Sequence, residues 1–242
     1  MTATTSGMTE HRFWLTMVGA MIVLVVWGFG GSFFLRGILP AQPSYIDDLA
    51  MRPVYIVHGL AFSAWMALLA MQVGLASSGR LALHRRLGWA SIIVLPVIVV
   101  TGHLVAVHAL QSGFHALPPG APTTAFFAVP ALSLAYFVIV ASLALFWRRD
   151  PVTHKRLIVI ATMMVVGAGT TRIPFVVALN IPSFDPTQLL LLPMLWWDWR
   201  SLGRIHPATL WGGLTLLATN TLMGPIGETA AWQGLVKALF PH

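Results

Sequence analysis

Seven apolar stretches, separated by short polar segments, dominate the sequence. A helix that crosses a membrane needs about 20 mainly apolar residues, and most of these stretches reach that length. The sixth is short and rich in tryptophan. The pattern predicts an all-α integral membrane protein forming a single domain over residues 1–242, with spans at about 13–35, 54–76, 87–110, 124–147, 157–179, 189–199 and 207–223.

Composition supports lipid as the solvent. Of the 242 residues, 57% are hydrophobic and only 9% are charged, whereas a soluble domain normally carries about 25% charged residues. The chain contains no cysteine, which excludes disulfides, thiolate nucleophiles and iron–sulfur clusters. Seven acidic residues occur in all, and none lies in the middle of a predicted span, which argues against a carboxylate relay of the usual transporter kind.

The basic residues indicate an orientation. Segments on one predicted side carry ten of them: Arg12, Arg80, Arg85, Arg86, Arg148, Arg149, Lys155, Arg156, Arg200 and Arg204. The other side carries only Arg36, Arg52 and Lys237. Cytoplasmic loops are enriched in Lys and Arg, so the sequence predicts a bacterial inner-membrane protein with its N-terminus in the cytoplasm and its C-terminus outside. No basic run is interleaved with aromatic residues as a nucleic-acid surface requires, so nucleic acid is not an expected partner.

An internal repeat follows the second, fourth and sixth spans. His84 begins the sequence His-Arg-Arg-Leu, His154 begins His-Lys-Arg-Leu, and His206 stands in a weaker third copy before Pro207. Each histidine comes at the predicted start of the second helix of a hairpin. The repeat therefore predicts one leading helix followed by three related helical hairpins.

One group of polar residues is expected in the outer half of the bundle. His58, Trp65 and Gln72 are seven residues apart, which places them on one face of a helix. His103 and Arg172 are expected at the same outer depth as His58. The histidines are either partners in interhelical hydrogen bonds or ligands of a cofactor. Arg172 keeps its charge in almost any environment, so it either reaches the outer headgroups or contacts a haem propionate, a quinone carbonyl or a lipid phosphate.

A second group is expected at the cytoplasmic end. His84, His154, His206 and Asp198 share a similar inner depth. Three histidines and one aspartate are a set that could hold a divalent metal. The alternative interpretation is that they lie at headgroup depth beside basic loops that contact anionic lipid.

The chain resembles a bacterial family of multi-span membrane proteins of unknown activity. The resemblance is carried by His58, Trp65, Gln72, Arg80, His84-Arg85-Arg86-Leu87-Gly88, Asp150, His154-Lys155-Arg156-Leu157, Arg172 and the segment from Asp198 to Gly212. It covers most of the second to seventh spans and implies the same topology. A looser resemblance is to the b-type membrane cytochromes, in which histidines from two helices bind each haem. This chain departs from their two-haem pattern because the fourth span has no histidine.

Three functions are compatible with these patterns. The first is a redox component that binds one haem b or a quinone, with His58 and His103 as axial ligands, Arg172 as the anion partner, and Trp65 and Gln72 supporting them. The second is a non-catalytic membrane subunit or lipid-binding scaffold. The third is a metal-dependent enzyme acting on lipid through the inner histidines and Asp198. Membrane lipids are expected partners in each, together with a redox partner or another membrane subunit.

Overall fold

The chain folds into a bundle of α-helices. The computed structural model describes residues 3–40, 53–113, 122–179 and 185–240, so Arg52 lies outside the described residues. A π-helical turn, Gly30–Phe34, and a 3-10 turn, Pro186–Leu190, complete the described elements, which include no β-strand. The α-helices are α1 (Ala3–Gly28), α2 (Pro53–Ser77), α3 (Leu81–Gly88), α4 (Ser91–Ser112), α5 (Thr123–Phe126), α6 (Ala128–Phe146), α7 (Pro151–Thr170), α8 (Pro174–Leu179), α9 (Leu191–Leu202), α10 (Pro207–Glu228) and α11 (Ala230–Leu239).

Five helical stretches are long and apolar enough to cross a membrane. In the described part of the chain they are Thr9–Gly28, Pro53–Ser77, Leu81–Ser112, Thr123–Phe146 and Pro151–Thr170. The predicted all-helical, membrane-type architecture is thus confirmed. The sixth and seventh predicted spans are not among the five. Helix α9 has 12 residues, a length of about 18 Å, short of the roughly 30 Å hydrocarbon core. Helix α10 has 22 residues, but they include four Thr, four Gly and the polar Asn220.

Two predicted boundaries move for local reasons. The first span was expected to continue to residue 35, but α1 ends at Gly28 and the chain continues as the π-helical turn. The fifth was expected to run from residue 157 to 179. Helix α7 instead starts earlier, at Pro151, and ends at Thr170. Pro174 follows the break and begins α8, because a proline has no N–H to continue a helix and restricts the residue before it.

Three elements start with the same device, a polar cap followed by proline. The Asp150 carboxylate accepts hydrogen bonds from the N–H groups of Val152 and Thr153 at the start of α7. Asp185 caps the 3-10 turn and His206 caps α10 in the same way. Each cap accepts hydrogen bonds from N–H groups that have no partner within the first helical turn. Proline is tolerated at the next position because that position needs no N–H group.

Helix α7 is the centre of the bundle. It packs against α1, α6 and α10, and its side chains from Val159 to Met164 are all buried. Phe137 of α6 and Met21 of α1, both fully buried, complete this core. Between apolar helices in lipid, close van der Waals packing replaces the hydrophobic effect as the source of stability.

Small residues allow α1 and α7 to approach each other. A Cβ on Gly28 would fall on the backbone of Gly169, and a Cβ on Gly169 would meet the ring of Phe29. Backbone atoms cannot move aside as a flexible side chain can. The crossing of these two helices therefore depends on glycine at residue 28.

Gly28→Ala is expected to lower the thermal stability of the purified protein. The added methyl group must separate α1 from α7, and overpacking of this kind costs about 1–3 kcal/mol. Gly19→Ala is the matched control, because a Cβ on Gly19 of the same helix would meet no atom within 4 Å. A thermal unfolding series should show a lower midpoint for the first variant and an unchanged or higher one for the second. Equal midpoints would contradict this account of the crossing.

Candidate functional site

Equivalent histidines from two hairpins meet at one end of the bundle. His84 is the fourth residue of α3 and His154 is the fourth residue of α7. Their ring centroids lie 6.5 Å apart, with the ring planes at 90°. The two positions were expected at similar depth, and the structure additionally brings them together. We call this arrangement the histidine pair.

Each ring of the histidine pair is held by a backbone carbonyl of the preceding helix. The Nδ1 atom of His84 lies 3.1 Å from the carbonyl oxygen of Gln72, and that of His154 lies 2.8 Å from the carbonyl oxygen of Ala144. A carbonyl oxygen only accepts hydrogen bonds, so Nδ1 carries the proton in both rings. The lone pair of each neutral ring is then on Nε2. Metal-binding histidines have this arrangement, with one nitrogen fixed by a carbonyl and the other left for the metal.

The third repeat histidine has the opposite tautomer. The Nδ1 atom of His206 accepts a hydrogen bond from the N–H of Ala208, at 3.1 Å. Its neutral ring therefore carries the proton on Nε2 and presents no lone pair there. Burial, and next the positive charge of Arg156, lower the pKa of His206, which favours this neutral, capping form. The repeat thus gives two rings suited to bind a ligand and one that ends in a helix cap.

Asp198 forms a buried ion pair with Arg156. Its carboxylate accepts hydrogen bonds from Nε of Arg156, at 2.8 Å, and from a second guanidinium nitrogen. Both side chains belong to residues that are 1% exposed. The other carboxylate oxygen accepts the backbone N–H of His206 at 3.0 Å. Within the described residues no group of three or more His, Asp or Glu side chains could hold a metal ion, so the four inner candidates do not form one site.

His58 and His103 face different neighbours. The Nδ1 atom of His58 lies 3.1 Å from the hydroxyl of Thr101, which donates its own proton to the carbonyl of Val97. The exposed His103 ring has the ring of Phe240 as its neighbour, 6.1 Å away. Thr101 and His103 are two residues apart, about 200° around α4, so their side chains project from opposite sides of that helix. This geometry favours the histidine pair over these two rings for a shared ligand.

The other residues predicted for the outer site, Trp65, Arg172 and Gln72, do not lie together either. Trp65 is buried and its indole N–H donates to the Thr162 hydroxyl of α7, at 3.2 Å. Arg172 stacks its guanidinium on the ring of Phe29, 4.8 Å from the centroid, and donates to the carbonyl of Ala168. Gln72 joins the histidine pair, because its backbone carbonyl accepts the hydrogen bond of His84.

The side chain of Gln72 adds an open acceptor beside the histidine pair. Its Nε2 would lie 3.2 Å from a Cβ built on Gly88, one turn after His84 in α3. Its Oε1 atom is buried and has no hydrogen-bond partner among the described residues. Buried polar atoms are nearly always paired in native proteins. The unpaired amide oxygen is therefore an acceptor that a donor from a ligand or a water would satisfy.

Two features of the site were not anticipated from the sequence. Arg156 was counted among the loop cations, yet it is fully buried. Asp185, which stands before Pro186 after the fifth predicted span, is also buried, at 6% exposed. The sequence signals were an aspartate before a proline for Asp185 and, for Arg156, the partner Asp198 among tryptophans. Such positions by themselves indicate only a cap or an interface residue.

No protein-family model, curated protein or solved structure matches this chain. The resemblances to a bacterial membrane family and to b-type cytochromes accordingly stay predictions.

Breaking the Arg156–Asp198 pair is expected to destabilise the fold strongly. Asp198→Leu alone leaves a buried, unpaired guanidinium, which typically costs about 3–5 kcal/mol. The double variant Arg156→Met with Asp198→Leu should regain much of that loss, because no charge then remains buried. Chemical unfolding of the single and double variants measures both effects.

The control for this cycle is Lys155→Gln. Lys155 pairs with Glu10 in a partly exposed bridge, and such pairs contribute about 0–1 kcal/mol. A loss for Lys155→Gln as large as that for Asp198→Leu would show that removing any charge at this end destabilises the protein.

Proposed function

We propose that the protein is a multi-pass redox component of the bacterial inner membrane, in which His84 and His154 are the axial ligands of one b-type haem. The supporting observation is the histidine pair itself. Two equivalent imidazoles from successive hairpins lie close together, each held through Nδ1 so that Nε2 is free to bind a metal.

The separation of the rings fits this role. Two imidazoles bound on opposite sides of one metal ion have ring centroids about 6.2 Å apart, because each nitrogen lies about 2.0 Å from the metal and about 1.1 Å from its own ring centre. The measured separation is 6.5 Å. Neighbouring ligands in a tetrahedral site would lie closer together. The distance is therefore the one expected if both rings were to hold one metal ion, such as a haem iron, between them.

The residues around the pair have distinct roles in the proposal. The carbonyls of Gln72 and Ala144 orient the rings and increase the basicity of Nε2. Arg85 and Arg86 directly follow His84, are exposed, and form no ion pair with a described acid. They are available to bind the two propionates through charge-assisted hydrogen bonds.

A haem held by both histidines would supply one-electron transfer, since the two rings would leave no place on the iron for oxygen or substrate. The chain would accept an electron from one redox partner and pass it to another, or to a second membrane subunit. The proposal includes seven spans, with the 3-10 turn Pro186–Leu190 and α9 together as the sixth, about 28 Å long, and α10 as the seventh. The basic end is in the cytoplasm in this topology, so the histidine pair would lie near the cytoplasmic surface.

A non-catalytic subunit is the second candidate, and specific contacts favour it. Trp65 bonds to Thr162, His58 to Thr101, and the Tyr136 hydroxyl to the carbonyl of Gly212 at 2.8 Å. In each case polar groups of different helices satisfy one another within the protein. A scaffold would use its polar residues in this way without any cofactor.

An optical spectrum of the purified protein, oxidised and then reduced with dithionite, tests the proposal. A sharp α-band is expected on reduction in protein produced with ample haem. His84→Ala and His154→Ala should each abolish or shift it, because each removes one axial ligand. His58→Ala and His103→Ala are matched controls that should keep the band, because neither ring faces the histidine pair.

Two results would contradict the assignment. A featureless visible spectrum would exclude haem and favour the scaffold. Loss of the band in His58→Ala and His103→Ala, with the band kept in the other two variants, would move the ligands to the outer histidines.

A further inference from the structure

A buried carboxylate lies at the other end of α7 from the histidine pair. Asp185 is 6% exposed. One of its oxygens accepts the Thr170 hydroxyl at 2.7 Å and the N–H of Thr187 at 2.9 Å. Thr170 follows His154 by 16 residues of one helix, a rise of about 24 Å. The carboxylate is therefore separate from the proposed redox site.

The described surroundings of Asp185 are polar but uncharged. Thr170 and Thr187 are both 0% exposed, and Gly167 has no side chain, so the carboxylate occupies the space a Cβ would need there. Asp185 is in neither ion pair of the described residues. Arg172, the nearest basic residue along α7, stacks on Phe29 and donates to the Ala168 carbonyl. A bare carboxylate in such a place is costly unless a positive charge joins it.

Two buried polar atoms of the turn that Asp185 caps lack partners. The Thr187 hydroxyl and the side-chain nitrogen of Gln188 form no hydrogen bond of acceptable geometry in the described part of the chain. The hydroxyl oxygen, next to the carboxylate, can bind a water or a cation, whereas the Gln188 nitrogen only donates and requires an acceptor such as water. Here they belong to consecutive residues of the same turn that Asp185 caps.

We propose that Asp185, with the hydroxyls of Thr170 and Thr187, binds one monovalent cation, either Na⁺ or a proton. The donors are all oxygen atoms, which hard cations prefer. A single carboxylate balances a single positive charge, whereas a divalent ion would leave a net charge buried. This site is a second function of the chain, and its occupancy is independent of haem.

The proton alternative has a defined dependence on pH. Burial raises the pKa of Asp185, and the hydrogen bonds from the Thr187 and Thr170 groups only partly oppose it. A carboxyl group whose folded pKa is raised contributes stability below its unfolded pKa. That contribution is lost as the pH rises through the folded pKa.

Thermal unfolding of the purified full-length protein in NaCl, compared with choline chloride at equal ionic strength, tests the site. For Na⁺ binding, the midpoint should rise by about 3–5 °C at a tenfold excess over the dissociation constant. Asp185→Asn, which keeps the cap, should abolish this rise. Thr171→Ala is the matched control and should keep it, because that hydroxyl bonds to the carbonyls of Gly167 and Ala168 and does not contact Asp185.

Binding of a proton is tested by thermal unfolding of the same proteins over a pH series. If NaCl has no effect, the wild-type midpoint should fall from acidic to alkaline pH, and Asp185→Asn should flatten that profile. Thr187→Val, which keeps the backbone N–H that Asp185 accepts, serves if Asp185→Asn fails to fold. Its response to Na⁺ or pH should also be reduced. Wild type and variants with the same response to both Na⁺ and pH would overturn the proposal, whatever the visible spectrum of the protein.

Discussion

A guanidinium buried between helices, near the end of the bundle that holds the histidine pair, is the constraint on which the rest of the structure depends. Arg156 is 1% exposed, and arginine does not lose its charge, so an acid must meet it. Asp198 meets it, and the same carboxylate accepts the N–H of His206. One interaction thereby fixes α7, α9 and the start of α10 together. It also fixes the position of His154, two residues before Arg156 in α7.

The three copies of the repeat differ in structure because different acidic residues, or none, meet their basic side chains. In the second copy, Lys155 and Arg156 have acidic partners from α1 and α9. In the first copy, the equivalent Arg85 and Arg86 have no such partner among the described residues and remain exposed. The third copy places its histidine in a helix cap. One motif thus gives a second copy with paired basic residues, a first copy with exposed basic residues, and a third copy whose histidine caps a helix. The histidine pair joins the second copy to the first.

Sequence patterns predicted the helices well and the helix neighbours poorly. Apolar stretches indicated where the long helices lie, whereas the cap at Asp150 and Pro151, which starts α7 six residues before the predicted span, was missed. The seven-residue spacing put His58, Trp65 and Gln72 on one face of α2. Spacing could not say which helix that face meets, because the rotation of each helix is set by packing contacts distant in sequence. His58 meets α4, Trp65 meets α7, and Gln72 meets α3. The burial of Arg156 and Asp185 could not be predicted from the sequence either, since a charged residue beside a predicted span normally lies at the surface.

Electron paramagnetic resonance of the oxidised protein tests the central assignment most directly, because it reports how many imidazoles bind the iron and how their planes are related. The ring planes of His84 and His154 are perpendicular. Two perpendicular axial imidazoles give a low-spin ferric signal of high anisotropy, dominated by one large g value. The structure predicts that signal, and its conversion to a high-spin signal in His84→Ala. A high-spin signal in the unmodified protein, or no haem signal at all, would contradict a haem bound between these two histidines.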